Sequence, residues 1–232
     1  MKILYEDKYL ILCEKPVGVE SQRSSRGGED MLTLLEKYRR EKGEDGYVGL
    51  VHRLDTATGG AMIYSKSEDM TGKLSALVQS HDYKKTYLAV IHGAPEMPMG
   101  EMRDFLFHDK MKNKSYVCAG KRSGVKEAIL NYRVLATVVQ ETGEKMSLVE
   151  IKLVTGRTHQ IRAHMASIGH PLVGDTKYGF TDKSKSLFKY QALYSYKIRF
   201  NFIDDAGSLE YLNGKEFSVK NVWFAKNNKI SV

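Results

Sequence analysis

Val51-His52-Arg53-Leu54-Asp55-Thr56-Ala57-Thr58-Gly59-Gly60 is the stretch on which the rest of the chain turns. A basic pair is followed by a leucine and then an acid, and small residues close the run. Upstream, Glu41-Lys42-Gly43-Glu44-Asp45-Gly46 reads as a loop. Downstream, Ala61-Met62-Ile63-Tyr64 is an apolar run of strand length, closed by Lys66. A carboxylate on a glycine-rich turn between two apolar segments can face a cleft and do chemistry. It can equally be a solvated acid on a surface turn. The stretch alone does not separate the two, so the flanking chain has to supply the partners.

At 232 residues, with 42% hydrophobic and 28% charged side chains, the chain is globular and long enough to bury a real core. No apolar run approaches the roughly 20 residues of a membrane span, and the start, Met1-Lys2-Ile3-Leu4-Tyr5-Glu6-Asp7, has no signal-peptide core. Two distant cysteines, Cys13 and Cys118, suit neither a disulfide framework nor a zinc site. Reduced thiols point to the cytoplasm. A formal net charge of +8 favours a polyanionic partner, nucleic acid before membrane.

Residues 3–12 read as a strand pair about the turn Glu6-Asp7-Lys8, followed by the loop Lys15-Pro16-Val17-Gly18 and a polar, flexible loop over 19–29. Asp30 is a helix cap for Met31–Arg40, where Met31, Leu34, Leu35 and Tyr38 recur at helical spacing. Ser67-Glu68-Asp69 starts a second helix, to about Gln79. A strand follows over Lys84–Ile91, then a proline-marked break at 94–100. From 101 to 127 the chain is basic and mixed, either a solvated face or a phosphate-contacting one. Strands over Ala128–Leu135 and Lys145–Leu153 flank Thr142-Gly143-Glu144, and Thr158–Ile168 has helical periodicity. Leu193–Phe202, Leu209–Leu212 and Glu216–Phe224 read as strands.

A second dense stretch runs from Thr155-Gly156-Arg157-Thr158-His159-Gln160-Ile161-Arg162 to Gly174-Asp175. Arg162 lies in the apolar stripe of Ile161 and Met165, so its guanidinium needs a carboxylate. Asp55 and Asp175 are the two on offer. His159 and His164 are five apart, no His-Glu-x-x-His pattern occurs, and no metal site is expected. The sequence contains neither a P-loop, a dinucleotide fingerprint, nor a nucleophile elbow.

His52-Arg53-Leu54-Asp55-x-x-Thr58-x-Gly60 resembles the signature of the RluA-type pseudouridine synthases. So does the run from Gly156-Arg157-x-His159-Gln160-Ile161-Arg162-x-His164 through Gly169-His170-Pro171 to Gly174-Asp175 and Tyr178-Gly179. Lys15-Pro16-x-Gly18 and the run Lys85-Thr86-Tyr87-Leu88-Ala89-Val90-Ile91-His92-Gly93 are similar to further motifs of the family, in the same order. The likeness spans about residue 3 to about residue 200. Gly59 stands where serine is usual and Ala61 where leucine is. Leu193-Tyr194-Ser195-x-x-Ile198-x-Phe200 matches only loosely. The resemblance begins at about residue 3, so the small S4-type RNA-binding domain of many relatives is not expected.

The resemblance implies an α+β fold: a mixed, mostly antiparallel sheet with flanking helices and a central active-site cleft, 1–232 forming one catalytic domain. It implies isomerisation of uridine to pseudouridine in structured RNA, ribosomal or transfer, with no cofactor, no metal and no obligate protein partner. Asp55 is then the catalytic carboxylate, Arg162 its charge partner, and Tyr87 the ring that stacks on the base and assists proton transfer. Ile198 is an apolar wall. Arg53 fills the gap left by a flipped nucleotide or holds a phosphate, while His52, Arg157, His159 and Gln160 support the site or grip RNA. The competing functions are a catalytically inactive RNA-binding protein on the same fold and a glycosidic-bond hydrolase.

Overall fold

The computed structural model describes residues 1–23, 27–80, 82–179 and 188–225. In chain order the elements are β1 (Lys2–Glu6), β2 (Leu10–Lys15), α1 (Met31–Glu41), β3 (Gly49–Leu50), β4 (Gly59–Ser65), α2 (Glu68–Gln79) and β5 (Tyr83–His92). Then come β6 (Met99–Asp109), β7 (Lys114–Cys118), β8 (Val125–Val139), β9 (Lys145–Leu153), α3 (Gln160–Ser167), β10 (Leu193–Phe200) and β11 (Glu216–Ser218). Every strand pair with a described register is antiparallel. The chain divides into two compact units, Met1–Lys85 with Ser195–Lys220, and Thr86–Tyr194 with Asn221–Val232.

In the first unit the strand order is β1-β2-β4-β10, with β3 against β4 and β11 against β10. Asp7 turns the chain between β1 and β2, its carboxylate accepting from the main-chain N–H groups of Tyr9 (2.8 Å) and Leu10 (3.0 Å). All seven residues of β4 are buried, which is why its sequence runs apolar without alternation: it has strand neighbours on both edges and α2 packed against it. Gly60 is required there. Its φ is +120°, and a Cβ would overlap the main chain of Ser195 on β10. Ser195 locks the same approach from its side, Oγ donating to the Ala61 carbonyl at 3.0 Å.

The predicted Asp30 cap forms, and Ser67 caps the second helix. The Asp30 carboxylate accepts from Thr33 N–H at 2.9 Å, and Ser67 Oγ accepts from Met70 N–H at 3.4 Å. Within 19–29, residues 24–26 lie outside the described residues. α2 buries Met70 and Leu74, while Lys73 pairs outward with Asp69 at 2.8 Å.

The second unit orders its strands β5-β9-β8-β6-β7. The basic, mixed segment 101–127, to which the sequence assigned no element, is mostly sheet. β6 pairs with β7 through Phe107↔Tyr116 and with β8 through Met102↔Leu130. Buried Met102 and Leu106 alternate with exposed Glu101 and Arg103. Of the lysines that obscured this period, Lys110 and Lys112 sit in the β6–β7 turn, and Lys114 and Lys126 in strands. Two readings change. Leu209–Leu212 belongs to a 3-10 helix, Gly207–Leu212, because a three-residue spacing puts buried Leu209 and Leu212 on one side of that tighter helix. The last strand stops at Ser218; beyond it Val219, Val222 and Phe224 are buried from irregular backbone. The predicted helix over Thr158–Ile168 starts later, at Gln160, because His159 has φ 54°.

Candidate functional site

Asp55 sits half-buried on a loop tied down through its main chain. Thr58 N–H donates to the Asp55 carbonyl (2.9 Å), and Gly18 N–H donates to the Thr56 carbonyl (2.8 Å). One residue earlier, Ser21 clasps Leu54 from both ends: its Oγ accepts from Leu54 N–H (3.0 Å) and donates to Leu54 O (2.8 Å). Tyr64 of β4 fixes Ser21 in turn, through a bond to its carbonyl at 3.0 Å. Lys15, with no exposed surface, gathers the two loops. Its ammonium donates to the carbonyls of Val19 (2.6 Å), Pro16 (3.0 Å) and Thr56 (3.2 Å). Burial pulls the Lys15 pKa down to about 8, against the opposing pull of the Asp55 and Glu20 charges.

His52 is buried beside that loop. Its Nε2 accepts from Ile63 N–H at 3.2 Å, so that nitrogen carries no proton, and the Tyr83 hydroxyl at 2.9 Å donates to it as well. Burial first, and the Lys85 charge second, push the His52 pKa well below its ordinary range. A neutral imidazole saturated on Nε2 braces β4 against Tyr83; it is poorly placed to move protons. Arg53 is exposed, and Ile198 on β10 is wholly buried, registered opposite Phe217 of β11.

Arg157, His159, Gln160 and Arg162 cluster at the start of α3 in the second unit. Gln160 locks the turn that precedes the helix. Its Oε1 accepts from Thr155 Oγ1 (2.8 Å) and Arg157 N–H (3.0 Å), and its Nε2 donates to Ile129 O (3.0 Å). Arg157 is exposed, with Nε donating to Glu127 O at 2.8 Å. Arg162 is buried and pairs with Asp175, one of the two carboxylates offered by the sequence. Asp175 grips it in a fork, Nε to Oδ2 at 2.7 Å and Nη2 to Oδ1 at 2.9 Å. Burial acts to raise the Asp175 pKa. The guanidinium, with main-chain N–H groups of Lys177 (3.0 Å) and Tyr178 (3.1 Å), outweighs it and holds the pKa below the usual value.

Tyr178 organises this region, although the sequence suggested no role for it. The Arg162 guanidinium lies 5.0 Å and the Lys114 ammonium 4.9 Å from its ring centre, and His159 meets the ring edge-on at 5.6 Å. Its hydroxyl accepts from Ser115 N–H (2.6 Å) and contacts His159 Nδ1 (3.1 Å). Two lysines close the arrangement reciprocally: Lys114 Nζ donates to Lys177 O (2.6 Å), and Lys177 Nζ donates to Asn113 O (2.8 Å). The β6–β7 hairpin is thereby pinned to the segment carrying Asp175. Asp175 three residues before Tyr178 was the available signal, since a carboxylate and a ring on one turn suit a buried arginine. Tyr87 lies on β5 and is buried. Asp55, His52, Arg53 and Ile198 thus fall in the first unit, and Tyr87, Arg157, His159, Gln160 and Arg162 in the second. Among the described residues no group of three or more His, Cys, Asp or Glu side chains is placed to hold a metal ion, and no helix is long and apolar enough to cross a membrane.

Residues 9–167 match the family described as RNA pseudouridylate synthase. An uncharacterized RNA pseudouridine synthase of Bacillus subtilis is 34% identical over 86% of this chain and 63% of its own length. A ribosomal large subunit pseudouridine synthase C of Buchnera aphidicola is 33% identical over 76% and 53% respectively, and a tRNA pseudouridine synthase C of Vibrio parahaemolyticus is 30% identical over 82% and 77%. The chain therefore spans less than two thirds of the first two relatives. The fold is shared with human RNA pseudouridylate synthase domain containing 4, with a TM-score of 0.75 at 21% identity over 96% of this chain and 89% of that one. Human RNA pseudouridylate synthase domain containing 1 gives 0.72 at 20% identity over 95% and 83%. The matched span holds the Asp55 loop, Tyr87 and the start of α3 through Arg162, and the chain belongs to the RNA pseudouridylate synthase family.

Proposed function

We propose that this protein, acting as one catalytic domain over 1–232, isomerises specific uridines to pseudouridine in structured RNA, ribosomal or transfer, in the cytoplasm. The observation that carries the proposal is the family match over 9–167, within which Asp55, Tyr87 and Arg162 are all present. The reaction breaks the N1–C1′ bond of uridine and makes a C5–C1′ bond. N1 gains a proton and C5 loses one, so atoms and electrons balance without a redox partner.

Each residue has a task in this reading. Asp55 is the catalytic carboxylate, acting on the sugar or the base while protons move. Its loop is cross-tied by Lys15 and Ser21, which supports a carboxylate held in one position rather than one swept through solvent. Arg162 supplies a fixed positive charge, oriented by the Asp175 fork. Tyr87 stacks on the target base and its hydroxyl assists proton transfer, and Ile198 contributes an apolar wall. The target atoms are inaccessible in a stacked helix, so the uridine is flipped out at a cost of a few kcal/mol. Arg53 occupies the vacated place or holds a phosphate. His52, Arg157, His159 and Gln160 support the site or contact the RNA.

The test is to incubate the protein with unmodified cellular RNA and map pseudouridine chemically. Product at discrete uridines is expected from the native protein, and none from Asp55→Asn, with RNA binding retained. Undiminished isomerisation by that variant would falsify the assignment of Asp55; release of free uracil in place of pseudouridine would make the protein a hydrolase.

A further inference from the structure

We propose that Lys85 is a substrate-binding residue that takes a phosphodiester group of the RNA. The proposal rests on the RNA reading above and goes beyond it by naming an anion subsite. β5 alternates its side chains, so Tyr83 and Lys85 share one face and Lys84 takes the other. Tyr83 places its hydroxyl on His52, and the Lys85 ammonium lies 5.4 Å from the Tyr83 ring centre. The groups around Lys85 are thus an aromatic ring and an imidazole kept neutral.

What sets Lys85 apart is its lack of an acceptor. The other sheltered lysines are answered: Lys15 by three carbonyls, Lys66 by Glu6 (2.9 Å) and Glu44 (3.0 Å), Lys114 by Lys177 O. Lys85 is half-buried, and among the described residues it makes neither a hydrogen bond nor an ion pair. Burial lowers its pKa to about 8. A desolvated cation without an acceptor weakens the free protein and is recovered when a ligand brings a fixed negative charge. The phosphodiester is the anionic group of RNA. Bound there, it raises the Lys85 pKa, so binding is fullest below about pH 8 and weakens as pH rises through that value.

Binding of a short oligouridylate by the full chain tests this, in parallel with the isomerisation assay. Lys85→Gln is expected to bind on the order of tenfold more weakly at pH 7. Its log–log salt slope is expected to be shallower by about 0.7, the counterion release of one single-strand phosphate contact. Native affinity falls by up to about tenfold per pH unit above pH 8, and the variant loses that part of the fall; Lys15, with a pKa in the same range, is common to both proteins. Lys85→Arg keeps the salt slope and loses the pH step. It carries the test on its own if Lys85→Gln does not fold. Unchanged affinity and slope in Lys85→Gln would overturn the proposal. So would weaker binding at unchanged slope, which marks a contact to a neutral uracil carbonyl. A native protein that makes no pseudouridine yet shows the Lys85 effect overturns the catalytic reading and leaves the anion subsite standing.

Discussion

Two regions of this molecule hold their functional residues by opposite means. At the start of α3, side chains hold side chains: Asp175 forks Arg162, the Tyr178 ring lies beside the guanidinium, and Gln160 spends three hydrogen bonds on the preceding turn. Around Asp55, side chains hold main chain: Ser21 clasps Leu54, and Lys15 gathers the carbonyls of Thr56, Val19 and Pro16. The difference separates stability from chemistry. Arg162 is held in the core by the Asp175 fork. Asp55 is placed by a scaffold that fixes the main chain of its loop.

The most severe way to break this contrast is Asp55→Asn. Activity is expected to fall by roughly 10³-fold or more, with unfolding free energy within about 0.5 kcal/mol of native. Denaturation of that variant by several kcal/mol would mean that Asp55 is structural after all. Asp175→Ala is expected to do the reverse and cost about 3–5 kcal/mol in urea unfolding, because it breaks a buried, forked ion pair. Ser21→Ala leaves a buried N–H and a buried carbonyl of Leu54 unanswered, a loss of about 1–3 kcal/mol. It is also expected to lower kcat more than it raises KM, since the loop it steadies carries the carboxylate.

The mildest handle is pH. Asp175 has a folded pKa below its unfolded value of about 3.9. Its contribution is therefore complete above about pH 4 and is lost as pH falls through the lower folded value. Asp175→Asn removes that dependence, so its stability declines less steeply below pH 4. An equal slope in both proteins would show that the acid sensitivity comes from elsewhere, such as Glu6, held at about 2 chiefly by Lys66, Tyr38 and Lys42 against the opposing effect of burial.

How much of this was legible in the sequence depended on how far apart the cooperating residues lie. Caps are local, so Asp30 and Ser67 announce α1 and α2 within three residues. The apolar run of β4 announces burial on both faces. The arginine in an apolar stripe announces a carboxylate partner, but periodicity does not say that Asp175 is one; the fold brings it to the guanidinium. Tyr178, Ser115 and Lys114 were illegible because their bonds span 63 residues, and a hairpin rich in lysine reads as a charged face until β6 and β7 are seen to pair. Leu209 and Leu212 misled for a simpler reason, since two apolar residues three apart suit several backbones.

The close approach of Gly60 to Ser195 has a consequence during synthesis. β4 acquires β2 as soon as it leaves the ribosome, but β10, its other edge, is translated about 130 residues later, at rates of about 5–20 residues per second. For several seconds the nascent chain carries an apolar strand whose second edge is covered by β3 only at Tyr64 and Ser65, its glycine shaped to admit another backbone at very short range. That interval is where a neighbouring nascent chain competes with β10 for the same edge, and where a chaperone that shields strand edges has most to do.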